Sequence, residues 1–255
     1  MNKIRKSTNF LYSLRGSLVI AEKDARIYYI KPPVIIFGIL FPIFFFLAFA
    51  LGKEVLPYIL VPGLVAMTLF FTSSSVGPLV IPWEKTARTY ERLLTTPISL
   101  FSLLLGDTLA GLVFGIVISS ISLIIGFIFF GAKVIHPFLL TGGILSSSLC
   151  FSCLGTLLSS PATKNPSQVM MLSTLIRFPL IFISGIFIPL ENLPRWGKLL
   201  APISPLTYTT DIIRYSLYGV KFYPAYLNIA AILAFSVGFF ILALKLHQKN
   251  LTREI

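Results

Sequence analysis

Residues 55–83 read VLPYILVPGLVAMTLFFTSSSVGPLVIPW, a stretch without one charged side chain. A helix needs about 20 apolar residues to cross the hydrocarbon core of a bilayer, and this run is longer than that. Five further runs of similar character lie around it. Taken together, the predicted spans are 34–51, 55–82, 104–132, 137–160, 166–189 and 223–245, with one charge, Arg177, inside the fifth. The composition of the 255-residue chain agrees, with 56% hydrophobic residues, 23 Phe, a mean hydropathy of +0.89 and 12% charged residues. A soluble domain carries about 25% charged residues, and a chain this short cannot enclose so much apolar surface. The alternating ten-residue segments of a membrane β-barrel are absent. The predicted fold class is therefore all-α integral membrane: six transmembrane helices, an N-terminal amphipathic interfacial helix, and short re-entrant outer helices between spans five and six.

The formal net charge of +12 would raise the question of nucleic acid in a soluble protein. Here the basic residues lie mainly before and between the apolar runs, where they meet anionic headgroups and set orientation. Seven of them precede residue 34, which predicts cytoplasmic N- and C-termini for an even number of spans in a cell (plasma) membrane. Ala48-Phe49-Ala50 follows an apolar run in the manner of a signal-peptidase site. The leader before that run is too long for an ordinary signal peptide, so an uncleaved span is expected. Met1-Asn2 lacks the glycine of a myristoylation site, and the last residues form no prenylation box.

Three segments lie outside the spans. Residues 10–31 place Leu11, Leu14, Leu18, Ala21, Ala25 and Tyr28 on one helical stripe, with Glu22 and Arg26 as an i,i+4 pair elsewhere. Lys31-Pro32-Pro33 ends the helix. The reading is an interfacial helix on the inner leaflet, either a headgroup anchor alone or an element with a further role. Residues 83–99, WEKTARTYERLLTTPIS, predict a short helix that begins after Pro82, pairs Glu84 with Arg88 and stops at Pro97. By its residues alone, segment 84–99 reads as a basic loop obeying the positive-inside rule, with a docking knob as the alternative. Residues 199–210, LLAPISPLTYTT, are apolar, broken by proline and too short to span. They fit short re-entrant or interfacial helices. An ordinary outer loop, with Trp196, Tyr208, Tyr215 and Tyr218 as an aromatic belt, is the alternative.

Several chemistries are missing. Gly52-Lys53 and Gly197-Lys198 lack the rest of a P-loop, so the chain does not bind ATP by that motif. His136 and His247 are predicted on opposite sides of the membrane, which disfavours a zinc pair or a His-based triad. No closely spaced pair of acids is predicted within the spans. Cys150 and Cys153 have C-x-x-C spacing inside an apolar run and read as packing residues. No metal site and no catalytic residue is expected. Arg177 is costly within a span and must meet an anionic substrate group, a carboxylate or backbone carbonyls. Gly111 and Gly115, extended by Ser119, form a small-residue face for helix packing, within the subunit or across a dimer.

The order of parts resembles a known family. An amphipathic helix, two spans, ERLLTTPIS at 91–99, two spans, FPLIFISGIFIPLENLP at 178–194, PISPLTYTTDIIR at 202–214 and a last span are similar to the ATP-binding-cassette type-2 exporter permeases. The closest likeness is to the drug-resistance and lipo-oligosaccharide branch. The resemblance covers essentially the whole chain. It implies a single permease domain over 1–255, paired with a second copy of itself or a paralogous permease. It also implies two copies of a separate ATPase that would hold ATP and magnesium, while this chain binds no cofactor and is not an enzyme. Glu91, Arg92, Leu93, Leu94, Thr95, Thr96 and Pro97 match the stretch that forms or adjoins the coupling helix, and the N-terminal helix matches the connecting helix. Ser184-Gly185, Pro189, Pro194, Pro205, Leu206, Thr207, Asp211 and Arg214 match the outer end of the fifth span and the external helices. The resemblance leaves the substrate class among drugs, lipids and glycans. Arg177, Phe178 and Phe182 are the candidate substrate-path residues, from position and polarity. A secondary transporter or channel without an ATPase, or a membrane-embedded lipid-modifying enzyme, are the rival readings. The shortage of intramembrane ionisable groups counts against the first, and the lack of an acid/base pair or metal cluster against the second.

Overall fold

The computed structural model describes residues 10–29, 31–36, 57–96, 98–161 and 165–254, with a few positions between 40 and 48. The described residues form helices and short 3-10 turns, without strands. In chain order the helices are α1 (Phe10–Tyr28), α2 (Pro32–Ile35), α3 (Pro57–Thr86), α4 (Thr89–Thr95), α5 (Leu100–Phe130), α6 (Pro137–Leu158), α7 (Pro166–Phe182), α8 (Arg195–Leu200), α9 (Pro205–Tyr218) and α10 (Ala225–Glu254). Four of them, α3, α5, α6 and α10, are long and apolar enough to cross a membrane. The shorter α7 is apolar over 17 residues, about 25 Å. The expected first span, 34–51, falls for the most part outside the described residues.

Helix α3 is the axis of the bundle. It is apolar on every side, and nearly all of its length is buried against α5, α6, α7 and α9. Its hydroxyls are returned to its own backbone, as Thr72 Oγ1 donates to the Thr68 carbonyl at 2.7 Å and Ser74 Oγ to that of Phe70 at 2.5 Å. The helix runs through Pro62, Pro78 and Pro82. This corrects the expectation that a new helix starts after Pro82: burial on all sides holds the helix across its prolines as far as Thr86. The break comes at Arg88, with φ 56, and α4 follows.

Other boundaries follow from caps. Ser99 accepts the Ser102 amide at 3.1 Å and starts α5, which ends at Gly131, φ 60. Asn165 accepts the Ser167 amide at 3.0 Å, with Pro166 in the first turn of α7. Helix α7 stops at Phe182, before the predicted 189. Pro179 lies in its last turn, and the chain then passes through Gly185, whose φ of 77 is a left-handed conformation. Helix α10 extends to Glu254, well past the predicted 245. There His247 Nε2 lies 3.2 Å from the Thr156 carbonyl, and Asn250 donates to that of Ser160 at 2.5 Å. The tail of α10 thus meets carbonyls at and just beyond the end of α6.

Helix α1 runs beside the first half of α5 in the same direction. Ser13 and Ser102 hydroxyls lie 2.6 Å apart at one end, and at the other Tyr29 donates to the Ala110 carbonyl and packs on Phe114 at 4.6 Å. The face against the bundle carries Ser17, Ile20 and Asp24, all buried, while Leu14, Leu18, Val19 and Ile27 are exposed. Small residues allow the approach: a Cβ added at Gly106 would collide with Ile20 and with the Ser17 carbonyl.

Candidate functional site

The predicted coupling stretch is α4 and its flanks. Tyr90 is buried beneath it, with Lys85 over its ring at 5.6 Å, and Thr89 Oγ1 donates to the Glu84 carbonyl at 3.2 Å. Leu93 and Ile98 pack on Tyr90, Leu103 and Leu104, together with Leu244 and Leu251 of α10. Glu91, Arg92, Thr95 and Thr96 face outward. A rigid underside and a polar exposed side make this seven-residue helix a knob fixed to the end of α3. The Leu94 side chain and Pro97 lie outside the described residues.

Beside the knob is a group of charges that sequence reasoning missed. Glu84 does not pair with Arg88. It accepts from Lys23 of α1, whose Nζ also lies 3.0 Å from Asp24 Oδ1. Asp24 in turn faces Asp107 of α5. Burial works against a charged Lys23, but Asp24 and Glu84 outweigh it and hold the ammonium above its ordinary range. For Asp24, burial outweighs the hydrogen bond to Asp107 and the attraction of Lys23, and its carboxyl is pushed up. Three helices far apart in sequence supply the acids, so no motif could have announced them. Asp107 lies three residues inside the start of the predicted span 104–132.

A groove of about 740 Å³ opens between α3 and α7, lined by Leu79, Trp83, Pro166, Ser167, Met170, Met171, Thr174, Leu175 and Phe178. Of the three candidate path residues, Phe178 lines it. Phe182 is 54% exposed and stacks near Phe178, ring centres 6.5 Å apart. Arg177 is fully buried instead. Its guanidinium donates to the Ser74 carbonyl and lies 5.9 Å from the Phe71 ring.

Gly111 and Gly115 sit where α5 meets α3 and α6. A Cβ at either would collide with Ser73, and also with Ser152 at Gly111 or Ser148 at Gly115. Hydroxyls line the same seam: Ser73 to Ser148 at 3.0 Å, Ser152 to the Thr108 carbonyl at 2.6 Å, and Ser122 to Thr68 at 3.0 Å. Ser119 is buried there and donates to its own helix.

At the far end, α9 is buried among α3, α6 and α10. Pro205 begins it, Leu206 is fully buried, and Thr207 Oγ1 donates to the Ala201 carbonyl at 2.6 Å. Asp211 accepts the amides of Phe222 and Tyr223 at 2.7 and 2.9 Å and the Asn228 amide group at 2.8 Å, tying α9 to the start of α10. Arg214 is buried and reaches the Gly185 carbonyl at 3.5 Å, which joins α9 to the turn after α7.

Comparison with known proteins identifies the family. The family described as "ABC-2 type transporter" matches residues 18–218. The chain is 25% identical over 195 residues to the inner membrane transport permease YadH of Escherichia coli (strain K12), covering 75% of this chain and 74% of that protein. It is 26% identical over 170 residues to the probable multidrug ABC transporter permease YbhR of the same organism, covering 62% and 43%. It is also 26% identical over 200 residues to ABC transporter G family member 20 of Dictyostelium discoideum, covering 75% and 27%. With most of its length matched, including α3 through α9, this multi-pass helical chain belongs to the ABC-2 type transporter family of membrane permeases.

Proposed function

We propose that the chain is the permease subunit of an ATP-driven exporter, working with a second permease and two cassette ATPases on the cytoplasmic side. ATP and magnesium belong to the ATPases. In this reading the chain crosses the membrane six times with both termini inside, and α1 turns its exposed Leu14, Leu18 and Val19 to the inner leaflet. The α4 end is cytoplasmic, and the α9 end faces outward as a short re-entrant helix.

The observation that carries the reading is α4, which offers Glu91, Arg92, Thr95 and Thr96 to a partner while Tyr90 and Leu93 anchor it. Nucleotide binding can drive transport if it favours one permease conformation, and a knob fixed to α3 is a direct route for that preference. The groove between α3 and α7 is almost wholly apolar, with Ser167 and Thr174 as its hydroxyls, and suits an apolar or amphipathic cargo such as a drug or lipid.

Arg92→Glu combined with Thr95→Trp, both on the exposed side, tests the coupling role when the permease is co-expressed with its cognate ATPase. Recovery of the complex should fall about tenfold or more, with membrane insertion and monodispersity unchanged. Undiminished recovery overturns the assignment of α4. Leu93→Asp is a poorer test, because Leu93 also packs on the bundle.

A further inference from the structure

The Asp24–Asp107 contact has a consequence independent of the coupling role of α4. Asp24 is 0% exposed and Asp107 is 1% exposed. Their carboxyls are adjacent, and apart from the Lys23 ammonium, 3.0 Å from Asp24 Oδ1, no N–H or O–H of the described residues reaches the four oxygens. An ionised carboxylate is an acceptor only, so two of them in contact repel, and neither oxygen of Asp107 meets a donor. One proton placed between them turns the repulsion into a charge-assisted hydrogen bond. Charge balance gives the same answer. The charged groups acting on Asp107 are Asp24 and Lys23 from α1 and Glu84 from α3, three acids against one ammonium. From α6, the hydroxyls of Ser152 and Thr156 are taken up at Thr108, one residue on. Tyr29, farther along α1, donates to the Ala110 carbonyl. Among the described residues no set of acids, histidines and cysteines is grouped as metal ligands, which leaves the proton as the ligand this geometry fits.

We propose that Asp24 and Asp107 share one bound proton, and that this proton latches α1 onto the α3–α5 end of the bundle. The pair titrates as a unit. When α1 leaves, both carboxyls are exposed to water and lose the proton at neutral pH, so the docked state holds one proton more than the undocked state. Docking is therefore fully supported below the ordinary carboxylate range. It weakens as pH rises through the elevated titration of the docked pair. Burial pushes Asp24 upward despite Lys23, which agrees in sign. Lys23, held by Glu84, keeps α1 in register while the proton decides whether it stays.

The test is a distance measurement on the full-length chain in lipid nanodiscs. Spin labels at Val19→Cys on α1 and Phe138→Cys at the far end of the bundle are both at exposed positions, with Cys150 and Cys153 replaced by Ala. Double electron–electron resonance is then recorded from about pH 5 to about pH 10. A single narrow distance is expected at the acid end. A displaced population should grow about tenfold per pH unit above the titration of the pair. Asp107→Asn, and separately Asp24→Asn, supply a permanent amide donor to the remaining carboxylate and should keep the narrow distance at every pH. The proposal is overturned if the unsubstituted pair gives one distance throughout, or if both Asn variants keep its pH profile. Either Asn variant suffices if the other fails to yield monodisperse protein.

Discussion

Pro78 and Arg177 act as one unit. Proline has no N–H to offer the carbonyl four residues earlier, so the Ser74 oxygen loses its intrahelical donor deep in the bundle. An unsatisfied carbonyl at membrane depth costs several kcal/mol. Arg177 supplies the missing donor from α7. Arg177→Met should lower stability by about 2–4 kcal/mol in a thermal or denaturant titration of the reconstituted protein. Pro78→Ala restores the Ser74 hydrogen bond within α3, so the same arginine substitution should cost about 1 kcal/mol less, or better, in that background. Additive effects would show that the two residues are independent. The arginine could be read as a buried charge in need of a partner from the sequence. Its partner could not, because Ser74 lies 103 residues away and carries no polarity signal of its own beyond a backbone oxygen.

Between helices, contact is made by small residues and hydroxyls, and energies follow from how close the backbones come. Gly115→Leu would place a branched side chain against Ser73 and Ser148, so α5 could not seat on α3 and α6. A loss of about 3 kcal/mol or more is expected, with Ala intermediate, measured as folded fraction after reconstitution. The tail of α10 supports a second case. His247→Ala with Asn250→Ala removes the groups that meet the Thr156 and Ser160 carbonyls. Stability should fall by about 1–3 kcal/mol, and proteolysis should open the end of α6 first. Hydropathy made most of these helices legible, because lipid and buried core both select apolar residues. It could not reveal that α3 continues past Pro82 to Thr86, since enclosure on all sides overrides the local penalty. Nor could it choose the face of α1. The apolar stripe of Leu14 and Leu18 is the exposed one, and the bundle instead takes Ser17, Ile20 and Asp24. The acid cluster was hidden for the same reason, being a property of docking between helices.

Seen whole, α4, proposed as the coupling knob, and the groove adjoin the same end of α3. Leu79 and Trp83 line the groove on α3, which ends at Thr86, and Thr89 starts α4 after the turn at Arg88. A partner pushing on α4 would therefore act on the groove wall itself, without a long relay. The groove is flanked by exposed Met171 and Leu175 on α7. Thr174→Trp should fill the groove while leaving α4 untouched. In the reconstituted complex it should cut substrate-stimulated ATP hydrolysis about tenfold, with basal hydrolysis and recovery of the ATPase unchanged. Arg92→Glu with Thr95→Trp should do the reverse, losing the ATPase while an apolar fluorescent probe still binds the permease. If filling the groove instead releases the ATPase, or if the α4 variant abolishes probe binding with the fold intact, the two functions are not divided along α3 as this geometry requires.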